Sequence, residues 1–190
     1  MSTPMKALNL CSLAVAAGLS LAAACAADAP SPGYFDLGSF APPKSGGEFV
    51  EVNLKGNLLR FAAKVAEQQE PDAADLLKSI ESVRVNVVGL DESNRGEIKK
   101  RIETLAARLQ TEGWERIVTV QKDGEDVGVY TKAGSQDSIA GIVVTVVSHE
   151  GQAVFVNVVG ELKPEKIAEL GERLHISPLK QAGEAIEKKP

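Results

Sequence analysis

From Phe49 to Val65 the chain reads FVEVNLKGNLLRFAAKV and changes period in mid-course. Val50, Val52 and Leu54 alternate with Glu51 and Asn53, the signature of a half-buried strand. Gly56 permits a sharp exit, after which Leu58, Leu59, Ala62, Val65 and Ala66 fall at helical spacing. A near-copy of the strand recurs at Ala153 to Leu162, with Val52, Asn53, Gly56 and Leu58 matched by Val156, Asn157, Gly160 and Leu162. The match suggests two strand–glycine–helix units, by duplication or by a shared structural requirement.

Between and after them the periods predict further elements. Pro71 opens a short helix with Asp72 and Asp75 in its first turn. Ser82 to Leu90 is a strand with Val83, Val85 and Val87 on one side and Arg84 and Asn86 on the other. Asn94 with Glu97 caps the longest helix, whose inner face is Ile98, Ile102, Leu105 and Leu109 and which Gly113 stops. Two hairpins follow. Glu115 to Gln121 turns at Asp123-Gly124 into Val127 to Thr131, and Ile139 to Ser148 turns at Glu150-Gly151 into Ala153 to Val159. A helix is expected from Pro164 to about Leu174, and a weaker one from Ser177-Pro178 that ends in charges.

The order β-α-α-β-α-β-β-β-β-α predicts an α+β fold in two layers: a mixed, mostly antiparallel sheet of about six strands with helices on one face. Strand order is not encoded in these periods. The domain is expected at 48–176, with residues 177–190 as a C-terminal helix and charged tail. Ordinary globular values for hydrophobic (44%) and charged (25%) residues agree with a folded chain.

The ends change the picture. Met5-Lys6 followed by an apolar run to Ala24 has the form of a secretory signal peptide over residues 1–26. Two outcomes fit it: cleavage after a small-x-small triplet, giving a soluble exported protein, or lipidation of Cys25, since Leu21 to Cys25 resembles a bacterial lipobox with its leucine one place too far out. The expected location is the periplasm or cell envelope, with an outer-membrane lipoprotein as the second outcome. Residues 27–47 are rich in Pro, Gly and Ser, as in a linker, but Tyr34, Phe35, Leu37 and Phe40 are too apolar to stay exposed together and are expected to dock on the domain.

Charge and residue inventory exclude several chemistries. The net charge is −5, from 21 basic and 26 acidic residues, with no Lys/Arg stripe interleaved with aromatics. Nucleic acid is not an expected partner, and a membrane is one only if Cys25 carries lipid. Cys11 and Cys25 both lie in the signal region, so the folded part has no thiol nucleophile, disulfide or cysteine metal site. His149 and His175 stand apart without a second ligand at metal spacing, and Gly89 opens no phosphate loop. No cofactor, metal or catalytic residue is expected. Trp114, at the start of a strand, reads as core.

Four stretches, GEFVEVNLKGNLL, ESVRVNVVGL, EGWERIVTVQKDGEDVGVYTK and VFVNVVGEL, together covering most of Gly47 to Arg173, resemble a family known as a domain of unknown function. Its members are small exported bacterial proteins of Gram-negative phyla. The resemblance implies export, a single α+β domain and no known activity, and it brings no catalytic residues.

The function expected from all this is a non-enzymatic binding module, taking an unknown envelope protein or a second copy of itself. The surface expected to bind is the polar side of the sheet: Asn53, Arg84, Asn86, Tyr130 and Asn157. Amides and a tyrosine offer hydrogen bonds and rigid area without a charge to desolvate. Two other classes stay open: an envelope glycan hydrolase working through paired carboxylates, and a carrier of a small apolar ligand.

Overall fold

The computed structural model describes residues 30–122 and 124–163. The expected signal region with Cys25, the helix expected at 164–174 and the tail expected from residue 177 lie outside the described residues.

Strand β1 (Phe49–Lys55) runs directly into helix α1 (Gly56–Ala66), then α2 (Pro71–Ser79) and β2 (Ile80–Gly89). Helix α3 (Arg95–Thr111) leads to β3 (Glu115–Lys122), β4 (Glu125–Ala133), β5 (Ile139–Val147) and β6 (Gln152–Leu162). The six strands form one sheet in the order β1-β2-β6-β5-β4-β3, and all five pairings are antiparallel. The α+β fold and its strand count are as the periods predict. β3 to β6 is a meander whose turns are the expected ones: Lys122 pairs with Glu125 beside Gly124 (φ +85°), and Ser148 closes on Gln152 beside Gly151 (φ +82°).

The layering differs from expectation: helices cover both faces. On one face α1 and α2 lie against β1, β2 and β6, and their Leu59 and Leu76 belong to one apolar cluster with Val129, Val144, Val156 and Val158. On the other, α3 packs Ile98, Leu105 and Leu109 with Trp114 against Tyr130, Val143 and Phe155. The cause is topological. β2 and β3 run parallel and stand four positions apart, so their connection must cross a face. That span is roughly 19 Å at the usual strand spacing, and α3, about 25 Å long, bridges it. α1 and α2 join neighbouring antiparallel strands and are free to lie on the opposite side.

Three local expectations are corrected. In α1 the buried positions are Leu59 and Ala63, while Leu58 and Val65 of the predicted stripe face outward. Asn94 is the N-cap of α3, yet its side chain does not cap the helix. It braces the preceding turn instead, donating to the Gly89 carbonyl (2.8 Å) and accepting from the Asp91 N–H (2.9 Å). The repeated strand–glycine unit also splits. Gly56 starts a helix, whereas Gly160 stays within β6, where a Cβ would lie 2.2 Å from the Ser79 carbonyl oxygen. There the glycine admits a neighbouring backbone at the bulge between Ile80 and Ser82.

Candidate functional site

Strand alternation places the expected binding residues on a common face, as their spacing predicts. Asn53 sits opposite Arg84, and Arg84 opposite Asn157, across β1, β2 and β6. The face is not open, however. Asn86, Tyr130 and Asn157 are buried, Arg84 is half-buried, and only Asn53 is exposed. α3 covers the Tyr130 end, and residues 31–40 lie along the rest as a strap.

The strap is held at each step. Asn157 (2% exposed) accepts from the Phe35 N–H (3.1 Å) and donates to the carbonyls of Gly33 (3.1 Å) and Ile142 (3.2 Å), so one amide clamps the strap and β5 together. Arg84 donates to the Gly38 carbonyl (2.7 Å), Arg101 to Leu37 (2.9 Å) and Arg108 to Asp36 (3.2 Å). The last two also stack, Arg101 over Phe40 at 3.9 Å and Arg108 over Phe35 at 4.7 Å. Phe35 and Leu37 are 1% exposed, with Phe35 edge-on to Trp114 at 5.8 Å, and Phe40 packs on Phe155 at 4.6 Å, so three of the four apolar linker residues dock as expected, while Tyr34 stays exposed (45%). Burial draws the Arg101 guanidinium pKa below its ordinary value. At the strap's start Gly33 touches Gly141 so closely that a Cβ on Gly33 would lie 1.7 Å from the Ala140 carbonyl oxygen.

Further along, Ser45 donates to Asp91, which also accepts from the Ser93 hydroxyl (2.6 Å) and the N–H groups of Ser93 (2.7 Å) and Asn94 (3.0 Å). The Ser45 and Ser93 hydroxyls lead in lowering the Asp91 carboxyl from 3.8 to about 2.

Three buried polar atoms on this face are left out. Both side-chain polar atoms of Asn86, and Nε of Arg84, have no hydrogen-bond partner among the described residues. An amide in that state destabilises the fold by its desolvation. Asn86→Val is therefore expected to raise stability by about 1 kcal/mol, read as a shift of the urea midpoint at constant slope. A loss of stability would mean that Asn86 bonds a group that this arrangement does not show.

A groove of about 930 Å³ opens between α3 and the hairpin strands, with Ile98, Ile102 and Ala106 on one wall and Arg116, Tyr130 and Thr145 on the other. Arg116 donates to the Tyr130 hydroxyl and lies over its ring at 4.9 Å. The ring folds over Gly128, where a Cβ would stand 2.9 Å from Cε2. Charges of both signs rim the groove, Lys99 and Lys122 with Glu103, Glu125 and Asp126. Among the described residues no three His, Cys, Asp or Glu side chains gather as a metal site, and no helix is long and apolar enough to cross a membrane.

The second open feature is α1. Leu58 (54% exposed), Phe61 (65%) and Val65 (55%) occupy positions i, i+3 and i+7 and form one outward stripe. Arg60 and Lys64 lie beside it, and Lys55 immediately precedes the helix.

With the sheet, the strap and both open features placed, the comparison with known families is decisive on one point. Residues 45–170 match the family described as Domain of unknown function (DUF4252). The chain belongs to the DUF4252 family. No curated protein and no solved structure matches it. The DUF4252 match begins at residue 45, so the strap precedes it, while Arg84, Arg101, Arg108 and Asn157 all fall within it.

Sequence reasoning missed Arg101, Arg108 and Phe61. The two arginines carry a usable signal, since seven residues apart they share a face of α3. Phe61 carries another. α1 holds Leu58, Leu59, Phe61, Ala62, Ala63, Val65 and Ala66, more apolar residues than one buried face admits. The Gly33–Gly141 contact has no signature in the pattern.

Proposed function

We propose that this DUF4252 protein is an exported, non-enzymatic binding module of the cell envelope, and that it binds through the outer face of α1. The observation carrying this reading is the exposed stripe of Leu58, Phe61 and Val65. Fully burying each such side chain is worth roughly 1.5 to 3 kcal/mol. A helix that leaves three on one face has a stake in meeting a partner. The export half of the reading rests on the apolar run to Ala24, with its basic start and small-residue end. The polar residues first expected to bind a partner have an internal role in this reading: Arg84 and Asn157 hold the strap.

The hydrolase and carrier readings gain less support. The groove's carboxylates, Glu103, Glu125 and Asp126, are interleaved with Lys99, Arg116 and Lys122 and do not stand as a pair in an apolar pocket. The apolar clusters on both sheet faces are filled by side chains.

Phe61→Ser is expected to leave stability within about 0.5 kcal/mol, because the ring is mostly in water already. A photo-reactive phenylalanine at position 61 should form adducts in intact cells, where the same residue at exposed Gln121 forms none. Absence of adducts at 61 would remove α1 as the binding surface.

A further inference from the structure

We infer that the outer face of α1 docks on an anionic lipid surface, with Leu58, Phe61 and Val65 entering the interface and Lys55, Arg60 and Lys64 meeting the headgroups. The inference rests on the proposed role of α1 and supplies its partner.

Local charge is the first argument. α1 itself contains no acidic residue, and Lys55, Arg60 and Lys64 are all exposed in a chain whose net charge is −5. Glu67, just past the helix, is engaged by Lys78 at 3.0 Å. The remaining nearby acids, Glu70 between the two helices, Asp72 and Asp75 on α2 and Glu81 on β2, are not part of the stripe, and Asp75 is itself paired with Lys78 at 3.2 Å. At a membrane, potential decays over roughly 8 to 10 Å, so groups pressed against the surface count for more than the chain's distant acids. A short helix with an apolar outer stripe bordered by cations is the form that lies in a bilayer interface.

The same charges argue against a second copy. In an antiparallel pairing of two α1 helices through this stripe, Arg60 and Lys64 of one would face those of the other, with no carboxylate in either helix to separate them.

The position of the N-terminal chain is the second, independent argument. Ser31 donates to Glu81 Oε2 (2.5 Å), and a Cβ on Gly56, the first residue of α1, would lie 3.8 Å from the Glu81 carbonyl oxygen. The chain leading from the apolar run to Ala24 therefore meets the domain at the start of α1. Ser31 lies six positions after Cys25, a reach of about 20 Å at full extension. A chain held at a bilayer through its N-terminal region presents this end of the domain to the lipid.

The test is hydrogen exchange of the full chain reconstituted in vesicles, which reads α1 separately from any N-terminal anchor. Amides of Gly56 to Ala66 should exchange roughly tenfold more slowly on phosphatidylglycerol-containing vesicles than on phosphatidylcholine vesicles or in neutral detergent, while β3–β4 amides stay unchanged. The variant Arg60→Gln/Lys64→Gln should lose that protection, since each cation contributes about fivefold in surface affinity, and high salt should act likewise. Equal exchange in all three media overturns the lipid inference. So does protection already complete in detergent, which would place this chain's own residues over α1, or protection that grows with protein concentration alone, which would place a second copy there. If lipid gives no protection while position 61 still forms protein adducts in cells, α1 remains the binding surface and only the lipid assignment fails. If position 61 forms no adducts at all, the binding reading itself fails.

Discussion

Asn157→Asp is expected to destabilise the domain by about 4 kcal/mol at neutral pH, although it changes one atom pair on a residue that the alternation of β6 marks as polar and outward. The amide Nδ2 donates to the carbonyls of Gly33 and Ile142, and a carboxylate in its place has nothing to donate. It would set a charge, 2% exposed at the parent residue, against two carbonyl oxygens. Burial raises such a carboxyl's pKa, so the acid form, which still donates once, gains ground as pH falls. The deficit should therefore shrink between neutral pH and about pH 5. Urea titrations of both chains at the two pH values measure it, and a deficit under about 0.5 kcal/mol at neutral pH would show that Asn157 does not hold the strap.

The second large effect is expected from a single methyl group. Gly33→Ala puts a Cβ 1.7 Å from the Ala140 carbonyl oxygen, a contact with backbone that no side-chain rotation relieves. The strap should leave the sheet at that end, taking Phe35 and Leu37 from burial into water at a net loss of roughly 3 kcal/mol after the regained chain entropy. Limited proteolysis should then cut within residues 31–40 while the sheet stays protected, and near-ultraviolet circular dichroism should lose the signal of Trp114 packed on Phe35. An intact strap in this variant would mean that β5 gives way instead, and β5 amides would then exchange faster.

These two residues mark where sequence reasoning succeeds and where it stops. The alternation of Val83, Arg84, Val85 and Asn86 gave β2 its facing, and the Gly-containing turns gave the meander its pairing, because both are local. What covers each face is not local. α3 was expected beside α1 because its apolar stripe, Ile98 to Leu109, fits any apolar surface. The crossover that sends it to the far face follows from β2 and β3 being parallel and four positions apart, a fact of strand order. The same gap misled the site reading. Asn53, Arg84, Asn86, Tyr130 and Asn157 do share a face, but whether that face is wet depends on the strap and on α3. Phe35 and Leu37 announced that the linker would dock; they did not say where, since the Gly33–Gly141 contact and the Asn157 clamp join positions more than a hundred residues apart. α1 failed in the opposite direction. Its surplus of apolar residues was legible, and the assumption of one inward stripe concealed that Leu58, Phe61 and Val65 point outward.

The strap also imposes an order in time. Phe35 and Gly33 lie 122 and 124 residues before Asn157, the side chain that holds both. A growing chain at about 5 to 20 residues per second makes the strap roughly 6 to 25 s before its clamp exists. During that interval Phe35 and Leu37 lack the strand that carries their clamp, so the first described part of this protein to be synthesised must wait for nearly the last.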